Sequence, residues 1–258
     1  MTEKKKPGRM VKSVEVKATP DEVWKALAEA EGISRWFAPE VRVKPGPGGE
    51  VYLAWGGQGG TAKIEVWEPP RRLRTADEMG GVSAAIEYEV EAKGGGTTVV
   101  RLVQSGFEEG SDTEASLDRG WDLFLANLRF ALERGRGLGC TYAFASFGPG
   151  LPGAETWKRL LGPALLGLTT PLDRLAGGMV VPVALPGGER FEAQVDLLVP
   201  GVVFGAARVD RPERVTFTVE TSGTAFVLRL AYGLTPAEGA ALSTGWAEAV
   251  RAAGPAPA

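Results

Sequence analysis

Seven aromatic side chains, Trp36, Phe37, Tyr52, Trp55, Trp67, Tyr88 and Trp121, are the residues of this chain best suited to a chemical task. Together they could enclose an apolar molecule and offer it a phenol or an indole N–H as a polar handle. Trp36 and Phe37 either line and gate such a site or simply pack. Trp121 opens an apolar helical stripe and reads first as core. Two charged constellations compete with them. Glu87, Glu89 and Glu91 recur at every second position, but in Ile86-Glu87-Tyr88-Glu89-Val90-Glu91 the alternation sends the carboxylates to the face opposite the apolar one. They read as a solvated outer face rather than an acid–base array. Arg71, Arg72 and Arg74 adjoin Pro69-Pro70 and read as flanks of an exposed turn. Cys140, between Gly139 and Thr141, has no base to activate it and reads as a linker residue rather than a nucleophile.

The chain contains no histidine. Ser-His-Asp and Cys-His nucleophiles are therefore excluded, as are His-containing zinc sites and two-His iron sites. No catalytic residue, metal ligand or cofactor is expected. Gly56-Gly57-Gln58-Gly59-Gly60 lacks the Lys-Ser/Thr of a phosphate loop and reads as a hairpin, and Gly46-Pro47-Gly48-Gly49 reads as a turn. A net charge of -3 offers no basic field for nucleic acid, and Lys4-Lys5-Lys6 reads as a solubilising tail. The polar start is not a secretory signal, and no run of residues reaches membrane-spanning length. A single cysteine rules out an intramolecular disulfide and points to the cytoplasm.

With 258 residues, 44% of them hydrophobic, the chain has room for two modules. The first opens with a strand over residues 11–16. A helix starts at Thr19-Pro20-Asp21-Glu22, with Thr19 as N-cap and Pro20 in the first turn. A short helical turn follows over residues 33–37. Strands are expected at residues 50–55, 61–67, 71–76, 83–91 and 97–104, with Gly80-Gly81 and Gly94-Gly95-Gly96 among the turns between them. A long amphipathic helix over residues 114–134 carries Leu117, Trp121, Phe124, Leu125, Leu128, Ala131 and Leu132 on one stripe. The run 135–139 ends it.

The second half repeats this order in worn form. Residues 142–147 alternate as an opening strand. Glu155-Thr156-Trp157-Lys158-Arg159-Leu160 echoes Glu22-Val23-Trp24-Lys25-Ala26-Leu27. Asp210-Arg211-Pro212-Glu213-Arg214-Val215 echoes Glu68-Pro69-Pro70-Arg71-Arg72-Leu73. Gly223-Thr224 echoes Gly96-Thr97, and Gly245-Trp246 echoes Gly120-Trp121.

In the first half, Ala18-Thr19-Pro20-Asp21-Glu22-Val23-Trp24-Lys25-Ala26-Leu27, Arg35-Trp36-Phe37-Ala38-Pro39, the Glu68–Leu73 motif and Gly120-Trp121 carry a further likeness. With them the chain resembles the SRPBCC (START/Bet v 1-like) superfamily, in the branch related to the activator of Hsp90 ATPase. The resemblance implies an α+β helix-grip fold, an antiparallel sheet wrapped around a long C-terminal helix. It would occur in two tandem modules, residues 1–136 and a degenerate copy at 140–258. It also implies a cavity between sheet and helix, with Trp36 and Phe37 at its mouth, where truncation should cost little stability. The expected function is binding of a hydrophobic or amphipathic small molecule without catalysis. The alternatives are a co-chaperone-like module with a protein partner, or a cyclase-like enzyme that templates its substrate.

Overall fold

The computed structural model describes residues 6–79 and 82–255. Lys4, Lys5 and the expected Gly80-Gly81 turn lie outside the described residues. The chain divides into two compact units, Met1–Arg136 and Gly137–Ala258.

The first unit runs β1 (Pro7–Val16), α1 (Pro20–Ala28), α2 (Ala30–Ser34), β2 (Glu40–Lys44), β3 (Glu50–Trp55), β4 (Gln58–Glu68), β5 (Arg72–Met79), β6 (Val82–Gly94), β7 (Thr97–Glu108) and α3 (Asp112–Glu133). Its strands form one antiparallel sheet in the order β1-β7-β6-β5-β4-β3-β2. Thr19 caps α1 as its side chain accepts from Glu22 N at 3.3 Å, while the Glu22 carboxylate accepts from Thr19 N at 2.8 Å. Gly56 and Gly57 close the β3–β4 hairpin with φ of +58° and +80°, which a two-residue turn of this hand demands and a side chain opposes. Strand β2 was not expected. Its residues alternate exposed and half-buried, so five of them at a sheet edge leave only a faint apolar signal. Helix α3 buries Trp121, Leu125, Leu128, Ala131 and Leu132 of its expected stripe, leaves Leu117 and Phe124 half-buried, and also buries Leu123, Asn127 and Phe130, so more than one of its faces is covered.

The second unit runs β8 (Cys140–Phe147), α4 (Gly153–Leu161), a 3-10 turn (Leu172–Arg174), β9 (Val180–Ala184), β10 (Arg190–Val199), β11 (Val203–Arg208), β12 (Glu213–Val219), β13 (Ala225–Tyr232) and α5 (Pro236–Ala253). The sheet order is β8-β13-β12-β11-β10-β9. In both units the opening strand lies beside the last one, and the others follow in descending order. Both units also close on a long helix with an inward tryptophan, Trp121 in α3 and Trp246 in α5. The architecture is thus two tandem helix-grip modules, the second with six strands in place of seven. The missing strand displaces one echo. The Asp210–Pro212 turn leads into the third strand from the β8 edge, whereas Glu68–Pro70 leads into the fourth from the β1 edge. Cys140 is not a linker residue. It begins β8, opposite Tyr232.

Candidate functional site

The site of the first unit is built on the sheet face turned toward the helices. Alternation puts Val51 and Leu53 of β3, Leu73 and Thr75 of β5, and Ile86 and Tyr88 of β6 on that face, where Leu27, Ile33, Trp36 and Phe37 close over them. Between them lies a cavity of about 40 Å³. A few waters fill such a space, whereas drug-sized ligands occupy roughly 300–1,000 Å³.

Aromatic packing accounts for the small volume. Phe37 stacks on Trp121 at 5.4 Å and 8°, meets Phe124 edge-on at 4.5 Å, and adjoins Trp36 at 5.0 Å. Trp55 faces Phe37 edge-on and donates its indole N–H to the Phe37 carbonyl at 3.1 Å. Trp36 donates to Ala26 O at 2.9 Å, and Trp121 donates to the Gln104 side-chain oxygen. Trp36 is 1% and Phe37 8% exposed, so they are core residues rather than rim residues, contrary to the expectation of cheap truncation. A tryptophan following a five-residue helix looks peripheral in sequence, but here its indole bonds back to α1 and lines the cavity with the inward residues of the sheet.

The seven expected ligand-binding residues therefore separate. Trp36, Phe37 and Tyr88 line the cavity, and Trp55 and Trp121 back them. Tyr52 does not join them. It sits between the inward Val51 and Leu53, on the opposite face, with the Arg42 guanidinium 4.0 Å above its ring. Trp67 packs edge-on against Trp24 at 5.1 Å, away from the cavity lining.

Two polar groups on the inward face stand apart. Tyr88 is 7% exposed, and its hydroxyl has no hydrogen-bond partner among the described residues. Burial raises its phenol well above the ordinary value. Two residues beyond Thr75 on β5, Asp77 also faces inward, opposite Ala84. Loss of solvent raises its carboxyl, opposed by a hydrogen bond from its own backbone. Sequence reading passed over Asp77, although Leu73-Thr75-Asp77 shares the alternation that sends Arg72 and Arg74 outward.

The outer face is organised differently. Glu87 is not simply solvated, being 9% exposed and bridged by Arg72 at 3.0 Å and Arg74 at 3.2 Å. Burial alone would raise its carboxyl, but the hydrogen bonds from Arg72 and Arg74 bring it below the ordinary value. These arginines are thus partners of outer carboxylates rather than flanks of an open turn. Glu89 likewise pairs with Arg101.

The second unit holds a charged cluster on its inward face that the sequence did not reveal. Arg229 bonds Glu213 at 2.6 Å and Glu189 at 2.8 Å, while Arg208 reaches Glu189 and Asp210 and Arg211 reaches Glu213. Arg208 and Glu213 also line a cavity of about 10 Å³, otherwise apolar. The signs balance within the cluster, so it seals that end of the core rather than offering a ligand a net charge. Around it the core is mainly aliphatic, from Leu160, Leu161, Val181, Val195 and Val227.

Among the described residues no group of three or more Cys, Asp or Glu side chains could hold a metal ion, and no helix is long and apolar enough to cross a membrane. The exposed large apolar residues, such as Val11, Val180, Val209 and Phe226, belong to separate elements and loops.

Residues 17–133 match the family described as Activator of Hsp90 ATPase homolog 1-like protein. No curated protein matches the chain in sequence. Among solved structures, the Aha1 dimer from Colwellia psychrerythraea is similar at 24% identity and a TM-score of 0.45, over 50% of this chain and 99% of that one. A putative protein of the dynemicin biosynthetic locus is similar over 95% of this chain and 96% of its own, at 18% identity and a TM-score of 0.44. The di-domain ARO/CYC StfQ from the steffimycin biosynthetic pathway is similar over 95% and 97%, at 15% identity and a TM-score of 0.42. At such scores these structures add no argument, and the assignment rests on the family match and on the shared sheet order. The chain is built of two tandem helix-grip modules, and residues 17–133, in the first of them, match the Activator of Hsp90 ATPase homolog 1-like family.

Proposed function

We propose that the first module binds an apolar small molecule between its sheet and α3, with the Tyr88 hydroxyl as the donor that orients it. The carrying observation is that Tyr88 lines an apolar cavity and that its hydroxyl has no hydrogen-bond partner among the described residues. A hydroxyl on an apolar wall leaves its donor unused, and a ligand acceptor that meets it gains about 0.5–1.5 kcal/mol. The cavity of about 40 Å³ is too small for such a ligand as it stands, so entry requires Phe37 to leave its stack on Trp121.

Titration of the full chain with 1-pyrenemethanol, a flat apolar probe with one hydroxyl, tests this reading. Saturable quenching of tryptophan emission is expected. Tyr88→Phe should weaken binding about 5–10-fold, the equivalent of one hydrogen bond. Absence of saturable quenching, or identical affinity in the Phe variant, overturns the reading.

A further inference from the structure

The strands around the cavity sort their charges by face. Arg72 and Arg74 of β5 and Arg101 of β7 all point outward, where Glu65, Glu87 and Glu89 hold them. Asp77 alone among the acids of β5 and β6 with described side chains points inward. It stands two residues from the cavity-lining Thr75, hence about 7 Å along the strand. No ion pair involves it among the described residues, and no charged neighbour perturbs its carboxyl. Gln104, inward on β7 opposite Ile86, already accepts the Trp121 N–H. Among the described residues the inward face thus carries a carboxylate without an ion pair, Asp77, one strand step beyond the cavity wall, and a phenol without a hydrogen-bond partner, Tyr88, in that wall.

We infer that the ligand of the first module carries a basic nitrogen on its apolar body, and that Asp77 is the carboxylate that receives it. This inference rests on the apolar-ligand reading above. An ammonium group supplies the opposite charge and adds donors to the backbone hydrogen bond that this partly desolvated carboxylate already accepts, and a charged bond is stronger than a neutral one. A metal ion would need further ligands, and the described residues supply no such group.

The test compares 1-pyrenemethylamine with 1-pyrenemethanol on the full chain at pH 7, where the amine is protonated. The amine should bind about 10-fold tighter, as expected of a hydrogen bond to a charged group. Asp77→Asn should abolish that preference while leaving the alcohol's affinity unchanged, and Asp77→Glu should restore part of it. Glu91→Gln, on the outer face, should keep the full preference, which separates a local contact from attraction to the chain's net charge of -3. Equal binding of the two probes by the unmodified protein overturns the inference while leaving the apolar-ligand reading intact. So does a preference that survives Asp77→Asn or falls equally in Glu91→Gln. If neither probe binds, both the inference and the reading beneath it are overturned.

Discussion

Trp121 and Trp36 both pack against Phe37 in the first module's core. Trp121 carries the stack and ties α3 to β7 through Gln104, while Trp36 ties the α2 loop back to α1 through Ala26. Removing either indole deletes a large buried surface and strands a hydrogen-bonding partner. Trp121→Ala and Trp36→Ala should each cost about 3–5 kcal/mol, read from the urea midpoint. A midpoint unchanged in Trp36→Ala would return that residue to the rim where sequence reading placed it. The same pair shows how ligand entry could be permitted. Phe37 accepts from Trp55 through its backbone carbonyl and meets Trp121 and Phe124 through its ring, so a ligand that enters beside it displaces the ring while the backbone bond stays.

Among the elements, the helix starts carry the plainest local code. Thr235-Pro236-Ala237-Glu238 opens α5 as Thr19-Pro20-Asp21-Glu22 opens α1, with the same reciprocal bonds at 3.3 and 2.8 Å. In α5 this capping box fixes the start of the helix that brings Trp246 into the second core. Thr235→Ala should therefore cost about 1 kcal/mol, with urea denaturation as the check. A loss of several kcal/mol would show that Thr235 does more than cap. Helix α3 stands further from its sequence reading. Its apolar stripe was legible, but Leu123 and Phe130 look like tolerated surface residues until tertiary structure covers them.

Across the whole molecule, stability against acid follows from where carboxylates meet arginines. Burial opposes ionisation of Glu189 in the second module, but hydrogen bonds from Arg229 and Arg208 hold its carboxyl below the ordinary value, as Arg72 and Arg74 do for Glu87 in the first. A folded-state value below the unfolded one gives stability that is fully present above the ordinary 4.5 and is lost as pH falls through the lowered values. Urea midpoints should therefore drop between pH 5 and pH 3, values bracketing the ordinary carboxylate range, and Glu189→Gln should flatten that decline. An equally steep decline in the variant would assign the acid loss elsewhere. Asp77 has the opposite sign. Its raised value means a penalty that is absent below 3.8 and appears as pH rises through that value. Asp77→Asn should thus stabilise the protein at neutral pH and change nothing near pH 3, as expected of a group kept for a ligand rather than for the fold.

The sequence by itself determined most elements of the first module and the kinship of the two halves, but not the edge strand β2. Thr-Pro caps, glycine turns, period-two strands and the long amphipathic helix are local patterns, and each is written within a few residues of where it acts. The repeat was legible for the same reason, since five short echoes need only order, not contact. Tertiary structure alone decided which aromatics meet. Tyr52 and Tyr88 are both strand residues, yet alternation turns one to Arg42 and the other to the cavity. It also decided the charges. Glu189, Arg208, Glu213 and Arg229 lie on four segments that only strand pairing gathers into one cluster. Asp77 and Glu87 are both strand carboxylates, yet one faces an apolar interior and the other two guanidiniums. A side chain's type is local, but the dielectric and the partners around it belong to the fold, and those set its chemistry.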